Sequence, residues 1–308
     1  MATEKAFLTY EEQVQKLLER GLGIFDVNEA IEILSSENYY RLINGYKELF
    51  LDSNHNAEKY RTGSSLPEIF ALYKFDEELR FIFLRRFLSI ENVIKTSIAY
   101  EFSKEHENSG YLNIMNFNYQ PKAQQEINKL VNEMSETLQK KARYDDRIRH
   151  YQNKYGCVYL WVLINILTLG TVSIFYKNMR PHEQNEVARK FGLRPHILNL
   201  YLKAITLARN TCAHNERFFS FRFKTGINPL PEHTRLGIPK TGQEHDQGIH
   251  DVFAILLVVK SLLNNPTELY EMKVEINNAL YKLQKSLMSI SIDQVLFKMG
   301  FPDNWQSI

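Results

Sequence analysis

The stretch Leu207-Ala-Arg-Asn-Thr-Cys-Ala-His-Asn-Glu-Arg-Phe-Phe219 closes a run in which Ile197, Leu198, Tyr201, Leu202, Ile205 and Ala208 recur at helical spacing. The pattern predicts a helix from Pro195 to Ala213 with one buried face and a polar end that carries Arg209, Asn210 and His214. A cation, an amide and an imidazole are what phosphodiester cleavage requires when no metal takes part. Asn210 and His214 are four apart and share a helix face, so the amide is expected to reach one ring nitrogen and select the tautomer. Arg209 and His214 are five apart and diverge by roughly 140°. They meet at one point only if the helix frays after Asn210, or if a second copy completes the site across a two-fold axis. The spacing alone is loose, since Arg143 with His150 and Arg189 with His196 stand comparably apart.

The rest of the chain reads as an all-α framework for that helix end. Glycine (13) and proline (9) are sparse in 308 residues, while phenylalanine (19) and tyrosine (17) are abundant, which favours long helices over a turn-rich β fold. A net charge of +2 means that any nucleic-acid surface must come from local clustering of cations. Two cysteines, Cys157 and Cys212, form neither a metal-binding spacing nor a disulfide framework, and Met1-Ala-Thr-Glu-Lys5 has no apolar signal core. An intracellular, cytoplasmic setting is expected, with no metal and no cofactor. Tyr159 to Tyr176 lacks any charge, but Asn165, Thr168, Gly170, Thr171 and Ser173 interrupt it. A buried helix, a break at Leu169-Gly-Thr171 and a new helix capped by Thr171 or Ser173 is expected there rather than a membrane span.

In chain order, Thr9 caps a helix to Arg20, Asn28 starts a second, and Asn38 caps a third with Tyr39, Leu42 and Tyr46 on one face. Those tyrosines and Arg41 either stack on bases or pack helix on helix; packing is the expectation. Pro67 opens a long spine to His106, with a break near Tyr73, whose Arg80, Arg85, Arg86, Glu91 and Lys95 are assigned to solvated faces. One polar helix is expected over Lys122 to Arg149. Its cations Lys140, Lys141, Arg143, Arg147 and Arg149 are candidate phosphate contacts, diluted by Asp145 and Asp146, against the alternative of a solvated face. Pro181 opens a helix ending near Gly192. Arg222 to His250, rich in glycine and proline, is expected to be a long loop with His233, His245 and His250 as ordinary loop residues. An apolar helix follows from Asp251 to Leu263, then an amphipathic helix from Pro266 through Leu287 and a short tail from Ile292 to Trp305.

Arg209-Asn-Thr-Cys-Ala-His214-Asn-Glu-Arg217 resembles the R-N-x-C-A-H-x-x-R signature of the Abi-2 (AbiD/AbiF-like) abortive-infection family, within the HEPN superfamily. Asn38-Tyr-Tyr-Arg-Leu42 through Tyr46, Phe75-Asp-Glu-Glu-Leu-Arg80 through Lys95, Trp161 through Tyr176 and Gly300-Phe-Pro302 with Trp305 resemble its other segments in the same order. Asn215 departs from a second histidine expected in many relatives. The resemblance implies a single HEPN-like helical domain over 1–308: an N-terminal helical part (1–65), a core (66–220) ending in the motif, the loop (221–250) and C-terminal helices (251–308).

It also implies a metal-independent endoribonuclease acting as an anti-phage toxin. In that reading Arg209, Asn210 and His214 are catalytic, and Arg217 joins the cations at 140–149 in binding RNA. A homodimer is expected and no membrane partner. Some relatives are paired with structured RNA, so the resemblance adds a regulatory (antitoxin) RNA to the partners it implies. Two alternatives stand beside this: a non-catalytic RNA- or protein-binding module, and a helical DNA-binding regulator, for which no basic recognition helix stands out.

Overall fold

A computed structural model describes residues 6–53, 58–107 and 109–308. The elements are α1 (Tyr10–Glu19), α2 (Val27–Ser36), α3 (Leu66–Glu105), α4 (Gln124–Lys141), α5 (Asp146–Tyr155), α6 (Leu160–Leu163), α7 (Leu169–Asn178), α8 (Pro181–Arg189), α9 (Pro195–Ala213), α10 (Pro231–Arg235), α11 (Val252–Leu262), α12 (Pro266–Gln284) and α13 (Ile292–Met299). A turn of π-helix, Tyr40–Asn44, follows α2. The one sheet among the described residues is a hairpin of two-residue strands, β1 (Lys240–Thr241) and β2 (Glu244–His245), so the chain is all-α in architecture.

Local chemistry accounts for most helix boundaries. Thr9 and Glu12 close a capping box on α1, and Gly21, at φ 84°, turns the chain out of it. Asp26, rather than Asn28, caps α2, its Oδ1 accepting from the Asn28 and Glu29 amides. The proposed single helix over 122–149 is two. Its first part ends at Lys141, and Asp145 caps α5 by accepting from the Arg147 amide at 3.0 Å. The uncharged stretch behaves similarly: α6 passes into a 3-10 turn at Ile164–Ile166, and Thr168 caps α7. Thr171 and Ser173, offered as caps, lie inside α7 because the cap falls three residues earlier, where Thr168 Oγ1 accepts from the Thr171 amide. No helix among the described residues is long and apolar enough to cross a membrane.

The 40-residue α3 is the spine, unbroken at Tyr73. It is covered by α12, α9, α6, α8 and α11 along its length. That envelopment corrects the solvated-face assignment. Arg80 and Arg86 are about as buried as the core, Glu91 and Lys95 are each 8% exposed, and Arg85 alone of the five is open to solvent. Helix α11 is buried from Val252 to Val259 without interruption, as expected for a helix apolar on every side.

Residues 222–250 are an ordered strap with a short helix and the hairpin, and part of the polar stretch 55–67, which the sequence marks as a loop, lies outside the described residues. The three strap histidines serve its backbone. His233 Nε2 bonds the Gly248 carbonyl at 2.9 Å, His245 Nδ1 the Ile238 carbonyl and His250 Nδ1 the Phe223 carbonyl. The tail is equally fixed: Phe301 and Trp305 are buried, and a Cβ on Gly300 would stand 2.1 Å from the Asp251 carboxylate.

Candidate active site

Helix α9 remains α-helical through Ala213, with His214 as its C-cap, so no fraying brings Arg209 round to His214. Thr211 and Cys212 face the core, whereas Asn210, Ala213 and His214 are exposed. Burial pushes the Cys212 thiol well above its usual range, which makes it a packing residue and not a nucleophile. The helix ends in a Schellman arrangement: the Glu216 amide donates to Thr211 O at 3.0 Å and the Asn215 amide to Cys212 O at 3.3 Å. Asn215 takes the left-handed conformation this requires, at φ 56°. Asparagine tolerates that conformation better than most residues, so the departure at 215 has a structural role.

The turn after the helix is held from α3. Asp76 has no solvent exposure and receives four groups: the Phe218 amide (3.0 Å), the Phe219 amide (2.6 Å), the Tyr46 hydroxyl (2.6 Å) and Arg80 Nη1 (2.7 Å). Burial pushes the Asp76 carboxyl up and Arg80 pulls it down. The guanidinium and the two amides can only donate, and burial raises Tyr46 so that it keeps its proton, which makes Asp76 a carboxylate. Arg80 continues the chain, its Nη2 donating to Asn215 Oδ1 at 2.6 Å. Arg217 donates to the Gly45 carbonyl and ties the same turn to the segment carrying Tyr39 and Tyr46. Tyr46 is buried, stacked on Phe219 with centroids 5.6 Å apart, in line with the packing expectation, while Tyr40 is exposed.

A second charged chain underlies Arg209. Its Nε is 3.6 Å from Glu91 Oε2, and Glu91 Oε1 is 2.7 Å from Lys95 Nζ. At 3.6 Å neither Arg209 Nε nor Glu91 Oε2 completes a hydrogen bond, although both atoms are out of water. Desolvated charges left short of full pairing are costly, and they concentrate where charge is to be used. Arg209 side chain is 29% exposed, so its outer face remains open to a ligand.

A family model described as Abi-like protein matches residues 32–220. The chain belongs to the Abi-like protein family. No curated protein and no solved structure matches it. In this Abi-like chain the matched stretch contains Asp76, Arg80, Glu91, Lys95 and the whole of Arg209–Phe219, whereas α10 to α13 and the Gly300-Phe-Pro tail lie beyond it.

Two expectations about the Abi-like site need correction. The Asn210 amide makes no hydrogen bond to the His214 ring among the described residues; the link between the two is the backbone bond His214 N to Asn210 O, at 2.9 Å. Arg80, Glu91 and Lys95, which anchor the motif from α3, are expected on solvated faces, although the resemblance sets Glu91 and Lys95 in a stretch that packs near the motif helix; Asp76, which anchors it too, is given no role by the sequence. The clue available was density of charge at helical spacing (Asp76/Arg80 and Glu91/Lys95 are both i, i+4 pairs) on a helix otherwise predicted to be the core.

The candidate RNA-binding cations lie at the end of α4 (Lys140, Lys141), in the turn after it (Arg143) and on α5 (Arg147, Arg149). Lys140 pairs with Glu136, Arg147 with Asp145 and Arg149 with Asp146, while Lys141 lies over the Tyr144 ring at 5.1 Å. No group of three or more histidine, cysteine or carboxylate side chains among the described residues is arranged to hold a metal ion.

Proposed function

We propose that this Abi-like protein acts in abortive infection as a metal-independent endoribonuclease of the HEPN type, with Arg209, Asn210 and His214 as its reacting groups. The observation that carries the reading is an exposed polar helix end, bearing Asn210 and His214, clamped from beneath by Asp76 and Arg80, with Arg209 set against the buried Glu91. Preorganised groups of this kind stabilise charge that develops on a phosphate without reorganising during the reaction.

In the proposed reaction His214 takes the proton of a ribose 2′-hydroxyl as its oxygen attacks the adjacent phosphorus. Arg209 stabilises the extra negative charge on the phosphoryl oxygens, and the 5′-oxygen leaves with a proton, giving a 2′,3′-cyclic phosphate. One imidazole cannot be base and acid in the same step. Because α9 keeps Arg209 and His214 on different faces, a homodimer that apposes two motif ends supplies both functions. Asn210 then orients the histidine across the two-fold axis. Arg217 and the cations at 140–149 contact flanking phosphates, and a structured regulatory RNA is the proposed silencing partner.

The test is incubation of end-labelled structured RNA with wild type and His214→Ala in EDTA, with analysis of fragment ends. Cyclic-phosphate ends from the wild type alone are expected; equal fragments from both proteins sink the assignment of His214. A second reading, an RNA-binding module without turnover, has one observation in its favour: among the described residues the His214 ring hydrogen-bonds to nothing, so none of them selects its tautomer. RNA bound and left intact by both proteins would establish that reading.

A further inference from the structure

Between Lys140 and Tyr155 six cations stand against two carboxylates, in a chain whose net charge is only +2. Helix α5, which carries most of this segment, buries Ile148 alone among its ten residues. Aromatic rings are interleaved with those cations. Tyr151 and Tyr155 have centroids 5.4 Å apart with planes tilted by 41°, Tyr155 meets Tyr159 edge to face at 6.0 Å, and only Tyr159 and Trp161 stack, at 4.4 Å with ring planes 8° apart. Lys154 Nζ stands 5.2 Å from the Tyr155 ring centroid. Tyr155 is 48% exposed and Trp161 47%. An indole stacked flat on one neighbour, with about half its surface left in water, is an apolar plane awaiting a second one.

Trp161 also borders a groove of about 620 Å³ between α3 and α6, with Thr96, Tyr100, Lys104 and Asn165 on its walls. The volume exceeds what a nucleobase with its sugar needs and falls in the ordinary range of small-ligand sites. Asn165 spends its amide hydrogens on the Trp161 and Val162 carbonyls, at 2.6 and 3.4 Å, and no described residue donates to its Oδ1. Tyr100, opposite, is 63% exposed, and Lys190 Nζ lies 5.4 Å from its ring. Thr96 directly follows Lys95 on α3, so the groove begins on the helix that carries the Lys95–Glu91–Arg209 chain.

We infer that the ladder from Tyr151 to Trp161 and the groove it opens into form a track for single-stranded RNA, with Trp161 as the platform for one base. This rests on the RNA-directed function proposed above and names the surface that delivers the strand. Stacking planes with cations alongside are the recognition chemistry of unpaired polynucleotides, because every base has a π face and every linkage a phosphate. A duplex has already spent its base faces on itself. The Arg149–Asp146 pair is exposed on both sides and therefore weak, so a phosphate can displace the carboxylate, whereas Asp145 holds Arg147 by two hydrogen bonds and leaves only the outer side of that guanidinium to a phosphate.

The chain has two tryptophans, and Trp305 is buried, so Trp161 is a built-in reporter with Trp305 as its internal reference. The experiment titrates His214→Ala protein with an unpaired RNA oligonucleotide and with the same sequence as a duplex. It follows tryptophan emission and, separately, the anisotropy of a labelled RNA. The single strand is expected to quench emission as it saturates, and the duplex to quench little. Trp161→Phe removes the quench, and Trp161→Ala weakens single-strand binding roughly tenfold. Arg147→Gln with Arg149→Gln lowers the slope of log K against log salt by about 1.4. Saturating binding with unchanged emission, equal quenching by the duplex, undiminished affinity in Trp161→Ala, or no binding of RNA at all would each overturn the track. Because His214 is absent from every sample, a wild type that fails to cut RNA while the track variants lose affinity would refute the nuclease and leave the track standing.

Discussion

Arg80 and Asn215 lie 135 positions apart, yet Arg80 Nη2 donates to Asn215 Oδ1 at 2.6 Å. Through this bond the spine helix grips the residue that immediately follows His214. Asn215 is held twice, by its left-handed backbone and by its side chain. Asn215→Gly keeps the backbone and loses the bond, so it should cost about 1 kcal/mol. Asn215→Val loses both, and should cost roughly 2–4 kcal/mol. Denaturant unfolding of the pair reads the difference; equal losses would mean that the left-handed backbone at 215 contributes nothing.

Asp76 organises four donors while itself sealed from water. Asp76→Ala strands the Arg80 guanidinium and two amides, and should destabilise the fold by about 3–5 kcal/mol. Asp76→Asn keeps the shape but turns an acceptor pair into one acceptor and one donor facing donors, and should recover only part of the loss. A midpoint within about 0.5 kcal/mol of the wild type for Asp76→Ala, where surface substitutions fall, would show that the network is not holding the motif turn.

Glu91 faces Arg209 at 3.6 Å and bonds Lys95 at 2.7 Å. It acts on the proposed chemistry through Arg209, as a positioning residue. Glu91→Gln should leave RNA affinity within about twofold while lowering the rate of cleavage by roughly 10- to 100-fold, and Glu91→Asp should restore part of it. An arginine side-chain NMR signal, assigned by its loss in Arg209→Lys, should be ordered in the wild type and averaged in Glu91→Gln. An unchanged signal would remove Glu91 from that role.

Glu183 and His106 form a buried pair, Oε1 to Nε2 at 2.8 Å, where the start of α8 meets the end of α3. Burial pushes the Glu183 carboxyl up to about 7 and pushes the His106 imidazole down. The pair is therefore an acid donating to a neutral ring below that pH. A carboxyl whose folded pKa is raised contributes stability that is complete below about pH 4.5 and is lost as pH rises through about 7. His106 works in the opposite direction, as its neutral ring is favoured in the fold and stability falls as pH drops below 6.5. Comparison with Glu183→Gln isolates the carboxyl. The stability of wild type relative to the variant should decline by roughly 3 kcal/mol between pH 4.5 and 7.5, and a flat difference would show that Glu183 is ionised throughout.

Much of the helical framework was legible in residue order because it rests on interactions within a few positions. The apolar spacing from Ile197 to Ala208 defines α9, Pro67, Pro181, Pro195 and Pro266 mark helix starts, and Thr9 forms the cap its position implies. Where competing caps stood close together, the order was ambiguous: Asp26 displaced Asn28, Thr168 displaced Thr171, and Asp145 divided the helix expected over 122–149. The identity of the motif was likewise legible, since Arg209, Asn210 and His214 are adjacent in the chain.

The chain by itself determined the helices, the end of α9 and the residue types presented there, because turns of helix and their caps are local. Only the tertiary structure decided what those residues face. Arg80, Glu91 and Lys95 look solvated on a helix wheel, and they are buried because other helices, α9 and α12 among them, cover the spine. Which helix arrives on a polar face depends on contacts more than a hundred residues apart, and no periodicity records it. The same holds for Asp76 beneath Phe218 and Phe219, and for Arg80 against Asn215: burial and pairing of charge are properties of packed elements, not of the segment that carries the charge.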